Sequence, residues 1–238
     1  MILGLITYHV HPEIVEYISS KNTHFKDEFA RFANDALDLE PYFYENSDCI
    51  FPAYRRPINN EKVGKWKNNI NEPDQTILND NTVPRHIWAF LTVNKAYSGG
   101  TNGMWSSSGL DKFELAHVFG HKVGERLLEQ KAFENCDDIF KPYGLFTSAS
   151  NVVLIPKGFA KPTDQMESIK LCFYKRHIDL YGENLPEMSG FRESLLPEWY
   201  SDISWLEPPI PNDWKSRIDK LLLYRAKHLK LKYAIQTL

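Results

Sequence analysis

The chain has 238 residues and a mass of 27.7 kDa, enough for one large domain or two small ones, and its 42% hydrophobic and 25% charged residues match an ordinary folded protein. That balance excludes a disordered chain, a collagen-like repeat and a coiled coil. The net charge of −3 argues against a nonspecific polyanion binder. The sum is uneven, however: residues 212–238 carry seven Lys or Arg against two Asp, a surplus of +5 that leaves −8 for everything before them.

The first six residues are apolar, but His9, His11 and Glu13 follow at once and no basic leader precedes them, so no signal peptide is expected. Residues 23–39 place Phe25, Phe29, Phe32, Ala33, Ala36 and Leu37 at helical spacing, which predicts an amphipathic helix with Thr23 as its cap. Residues 41–83 are broken by four prolines and three asparagine clusters and read as loops. Residues 86–97 hold Ile87, Trp88, Phe90, Leu91 and Val93, a run that leaves strand and short buried helix both open. The longest nearly uncharged stretch, residues 87–104, is interrupted by Lys95 and rich in Ser, Gly, Thr and Asn. A membrane span needs about 20 predominantly apolar residues, so none is expected.

Residues 197–211 form a proline-rich connector with Trp199, Tyr200 and Trp205, too apolar for a free linker and long enough to wrap the body of the protein. A terminal amphipathic helix follows, starting near Asn212 or Asp213 and reaching Tyr233. Its apolar stripe runs through Trp214, Ile218, Leu221, Leu222 and Leu229. Cys49, Cys136 and Cys172 are odd in number and lack C-x-x-C spacing, which gives neither a disulfide framework nor a zinc knuckle and favours a cytoplasmic setting. No G-x-G-x-x-G, G-x-x-x-x-G-K-[ST] or G-x-S-x-G occurs, so a nucleotide cofactor and an α/β-hydrolase have no support.

The informative segment is residues 111–164. Phe113-Glu-Leu-Ala-His117 is an apolar run ending on a histidine, followed by Val118, Phe119, Gly120 and His121. About thirty residues later, small residues lead into Asn151-Val-Val-Leu-Ile155, which reads as a strand or turn giving way to a short helix. A neutral imidazole, with an ordinary pKa of about 6.5, is suited to taking a proton from water near neutral pH. Read alone, His117 is equally a core histidine bonded to a carbonyl, and Asn151 a turn or cap residue. Read as a single helix, residues 113–130 put His117 and His121 at i and i+4, a spacing that suits zinc. Val118 stands where zinc proteases carry their glutamate, and Gly120 and Gly124 weaken such a helix by about 1 kcal/mol each.

The order strand, His117, spacer, Asn151 resembles the HNH, or ββα-metal, nucleases found among restriction and homing endonucleases. The resemblance covers roughly 50 residues. It implies an α+β chain with a ββα-metal core at residues 106–170. Around that core would lie a helical, loop-rich stretch at 1–105 and a carboxyl-terminal wrap with a basic helix at 171–238, all within one compact domain. It further implies a DNA endonuclease of restriction or defence type in which His117 is the general base. Asn151 would begin the site helix and bridge backbone groups near His117.

The family needs a divalent cation, Mg²⁺ first, opposite its base. Its usual ligand positions here are Ala116, before the base, and Ala160, nine residues beyond Asn151, so His121 and Asp164 are the substitute ligands. Lys157 and Lys161 flank the emptied position, where an ammonium would lie on phosphate or stabilise developing charge. Lys220, Lys227 and Lys230 on the terminal helix are the remaining DNA contacts. Duplex cleavage needs two active sites, which makes a homodimer geometrically reasonable. Two other readings stay open: a noncatalytic DNA-binding or regulatory module with the same fold, and a zinc hydrolase.

Overall fold

The computed structural model describes residues 2–24, 82–95, 109–120, 123–136, 148–159, 165–184 and 188–228. The helix expected over residues 23–39 lies outside them apart from Thr23 and His24, and Thr23 is no cap: it sits in the last turn of a helix over Pro12–His24.

The organising element is the strand Val152–Pro156. Val152, Val153, Leu154 and Ile155 are all buried, at 0 to 3% exposure, so both faces of this strand are covered. A run of β-branched residues with no polar alternation suits a strand sandwiched between two apolar layers. It lies at the centre of a three-stranded antiparallel sheet, between Tyr8–His9 and Phe113–His117. In chain order these are β1 (Tyr8–His9), β2 (Phe113–His117), β3 (Phe133–Cys136), β4 (Val152–Pro156) and β5 (Met188–Phe191). The β2–β4 register runs from Phe113 opposite Pro156 to His117 opposite Val152. On the other side of β4, His9 faces Val153. The helices are α1 (Ile2–Leu5), α2 (Pro12–His24), α3 (Thr82–Val93), α4 (Val123–Ala132), α5 (Glu167–Tyr181) and α6 (Trp214–His228).

Because strand side chains alternate, β4 sends Val152 and Leu154 to one face and Val153 and Ile155 to the other. Val152 and Leu154 join Ile14 and Ile18 of α2, Ile87 and Phe90 of α3, and Ile218 and Leu221 of α6. Val153 and Ile155 join Leu128 and Ala132 of α4, Phe133 of β3 and Ile169, Phe173 and Tyr174 of α5. The first core thus draws on all three stretches of the chain that the sequence separates. Full burial of each such Val, Leu or Ile stabilises by about 1.5–3 kcal/mol.

Of the undecided run, residues 86–93 are helical as part of α3, and the five successive residues Ile87 to Leu91 are all buried. Helix α6 begins at Trp214, close to the expected start, and its apolar stripe packs into the first core. Arg217 is tied into the structure, bonding Asp213 and donating to the Leu91 carbonyl at 2.7 Å. The connector before α6 includes one short 3-10 turn, Glu198–Asp202, and a second, Glu193–Leu195, precedes it. It packs on the body: Leu206 donates to Gly4 and accepts from Arg176, while Trp205 meets Phe173 edge to face at 5.4 Å. A second, two-stranded antiparallel sheet pairs β3 with β5. The chain is therefore a mixed α+β protein. Among the described residues no helix is long and apolar enough to cross a membrane, and Cys136 and Cys172 form no disulfide.

Candidate functional site

His117 is the last residue of β2, half-buried, and opposite Val152 in the sheet. That register places Asn151, the residue before Val152, beside the loop that follows His117. The link is extensive. The Asn151 carbonyl accepts from the Val118 amide at 3.0 Å, and the Asn151 side chain takes both polar groups of Phe119, Oδ1 accepting from its N–H at 2.7 Å and Nδ2 donating to its carbonyl at 3.2 Å. Asn151 is 0% exposed. A buried amide that meets both the N–H and the C=O of one residue holds the two peptide units flanking that residue in orientation as well as in position.

The Phe119 side chain locks the same loop from inside. It stacks on Tyr174 at 5.1 Å and 12°, meets His177 edge to face at 4.9 Å, and lies 6.0 Å from Phe133. His177 in turn donates from Nδ1 to the Ser150 carbonyl at 3.3 Å, next to Asn151. Gly120 closes the loop. Its N–H donates to Glu129 Oε1 at 3.0 Å, and a Cβ at this position would come within 1.9 Å of a Glu125 carboxylate oxygen. Moving that carboxylate is costly because it pairs with the buried Lys170 ammonium at 2.9 Å.

Burial pushes the Glu129 carboxyl up to about 8, against the lowering effects of the Gly120 N–H and the Lys170 ammonium. Tyr174, whose hydroxyl donates to Glu129 at 3.3 Å, is raised well above the usual phenol range, first by burial and then by the two glutamates. On the same face of β4, His9 is 1% exposed between Phe173 and Trp205, with no hydrogen-bond partner for either ring nitrogen. Burial, then the Arg176 charge, then His177, lower its pKa to about 3, so the ring is neutral.

The structure brings His117 and Asn151 together and separates other candidates from them. Asn151 opens a strand and not a helix, because the β-branched residues after it are claimed by two cores; α5 begins only at Glu167. The single helix over residues 113–130 does not form, since β2 ends at His117 and α4 starts at Val123. His117 and His121 therefore do not share a helix turn, which removes the basis for pairing them on zinc. Lys157 donates its N–H to Lys112 at the far end of the β2–β4 pair. With about 3.4 Å per residue, that end is about 14 Å from His117, too far for an ammonium acting at the reacting centre. Lys220 is exposed on α6. His121, Lys161, Asp164 and Lys230, and the side chain of Lys227, lie outside the described residues.

A divalent cation finds no ligand set among the described residues: no three His, Cys, Asp or Glu side chains stand close enough together to hold one. Ala116, at a usual ligand position, is 6% exposed within an apolar core and offers no donor atom.

Glu125, Glu129, Lys170 and Tyr174 were not found from sequence. Two signals point to them: Glu125 and Glu129 stand at i and i+4 on α4, and Lys170 interrupts the apolar run Ile169 to Phe173. No protein-family model, no curated protein and no solved structure matches the chain.

Proposed function

We propose that the chain is a DNA endonuclease of restriction or defence type, similar to the HNH nucleases, in which His117 activates the attacking water. The observation that carries this reading is the clamp on the loop after His117: Asn151 holds both polar groups of Phe119 with its side chain and the Val118 amide with its carbonyl. A core histidine needs no such support. A general base does, since proton transfer in the transition state demands a fixed ring within about 3 Å of its target. The reading is also supported by element order: two antiparallel strands, β2 and β4, precede the helix α5, although α4 and β3 are inserted between the strands.

In this reaction the neutral His117 imidazole takes a proton from water, the oxygen attacks phosphorus, and the bond to the leaving oxygen breaks. The family's cation, Mg²⁺ or a related ion, would supply charge stabilisation when bound; no ligand set for it stands among the described residues. Exposed Lys157 and Lys220 serve as phosphate contacts, and the same role falls to Lys161, Lys227 and Lys230 from the sequence. Two copies of the chain would cut the two strands, and the cytoplasm is where the protein would meet its DNA.

A second reading, a noncatalytic DNA-binding module of the same fold, is favoured by one observation, the apolar burial of Ala116 where a ligand is usual. Incubating the protein with duplex DNA and Mg²⁺, Mn²⁺ or Ni²⁺ separates the two. Cleavage selects the nuclease, and binding without cutting selects the module.

A further inference from the structure

The loop that follows His117 is held by a second side chain. We propose that Glu129 is a positioning residue for the candidate base, fixing the loop through its hydrogen bond from Gly120 while Asn151 fixes it through Phe119. This rests on the reading of His117 as the base.

Val118, at 2% exposure, Phe119, at 1%, and Gly120 are consecutive and buried, and each amide has its acceptor: the Asn151 carbonyl, Asn151 Oδ1 and Glu129 Oε1. Three successive buried amides satisfied from two separate places, the residue just before β4 and helix α4, leave the backbone after His117 no freedom to rotate as a unit. Glu129 is itself braced, 1% exposed, with the Tyr174 hydroxyl on the same oxygen that receives Gly120.

A purely structural glutamate at this position would be an expensive choice. A buried carboxyl lies beside the Glu125–Lys170 pair, and an apolar side chain of similar volume fills a core at lower cost. What a leucine would lack is an acceptor for Gly120. A glycine is needed here because Glu125 occupies the space of its Cβ, and a glycine peptide without an acceptor would be the loosest point of the loop. Glu129 removes that looseness within three residues of His117.

The test compares Glu129→Gln, which keeps an acceptor at the same reach, with Glu129→Ala, which removes it. Glu129→Asp, one methylene short, replaces the alanine variant if that one does not fold. Three quantities are read on the full chain: hydrogen exchange of the Gly120 amide, titration of the His117 ring by NMR, and single-turnover cleavage of duplex DNA at saturating protein. In Glu129→Ala the Gly120 amide is expected to exchange roughly 10-fold faster and cleavage to slow by roughly 10-fold at unchanged DNA affinity, the equivalent of one lost hydrogen bond. Amides of β4 should exchange as in the parent, the His117 titration should shift, and Glu129→Gln should restore all three readouts. Unchanged Gly120 exchange in Glu129→Ala overturns the proposal. So does faster exchange with the His117 titration and the cleavage rate both unmoved, which would make Glu129 structural only. If the parent cuts no DNA, the nuclease reading falls separately, and Gly120 exchange with the His117 titration decides whether Glu129 holds the loop.

Discussion

Replacing Asn151 by alanine removes two buried hydrogen bonds at once. The Phe119 N–H loses the Oδ1 acceptor at 2.7 Å and the Phe119 carbonyl loses the Nδ2 donor at 3.2 Å, in a site where Asn151 is 0% exposed and Phe119 1%. Each buried polar group left unpaired costs about 1–3 kcal/mol. Water entering the space of the lost amide would recover part of that, so a total of about 2–4 kcal/mol is expected, against the ~1 kcal/mol of an ordinary lost helix cap. Urea unfolding of parent and variant at pH 7 measures it as a drop in midpoint with the slope unchanged. DNA cleavage at saturating protein should fall as well, since the loop after His117 loses its first clamp. A stability change below about 0.5 kcal/mol would refute the reasoning, because it would mean that the Phe119 N–H and carbonyl are satisfied without Asn151.

Further outcomes follow from the buried histidine and the basic helix. His9 holds its proton less tightly when folded, about 3 against 6.5, so the unfolded chain binds more protons between those values. The stability contributed by the neutral ring is complete above pH 6.5 and is lost as pH falls toward 3. Between pH 7 and 5 this should cost the parent about 2 kcal/mol, and His9→Phe, which keeps a ring between Phe173 and Trp205, should lack that loss; equal pH dependence of the two proteins in urea unfolding would overturn it. Replacing Lys220, Lys227 and Lys230 together by Gln should flatten the salt dependence of log K for B-DNA by up to about 2.7 and weaken binding to all sequences alike. A slope that stays put across a salt series removes these lysines from the DNA contact.

What the sequence revealed, and what it hid, has physical causes. Helix α6 was legible because its apolar stripe, Trp214 to Leu222, is periodic on one face only. Helix α3 was ambiguous because the five successive residues Ile87 to Leu91 are all buried, which erases the periodicity that separates helix from strand. The strand β4 was half legible: its β-branched run fits a strand, but the family pattern favoured a helix after Asn151, and burial on both faces decided for the strand. Helix α2 went unread although Pro12 marks its first turn and Ile14 and Ile18 its core face. At the site, His117 and Asn151 were paired through the order they share with the HNH pattern, and the β2–β4 register is what brings them together in the fold. Glu125, Glu129 and Lys170 were not, because a charged side chain reads as surface until the tertiary fold closes over it; α4 and α5 meet only through long-range packing.

The central claim is that His117 is the base of a DNA-cutting site. Single-turnover cleavage of duplex DNA, parent against His117→Ala, tests it most directly, with DNA affinity measured alongside and the fold checked by circular dichroism. The parent should cut, the variant should lose about 10² to 10⁴ in rate, and the two should bind DNA with nearly equal affinity. Equal rates for the two proteins, or DNA bound and left intact by the parent with each of Mg²⁺, Mn²⁺ and Ni²⁺, would contradict it.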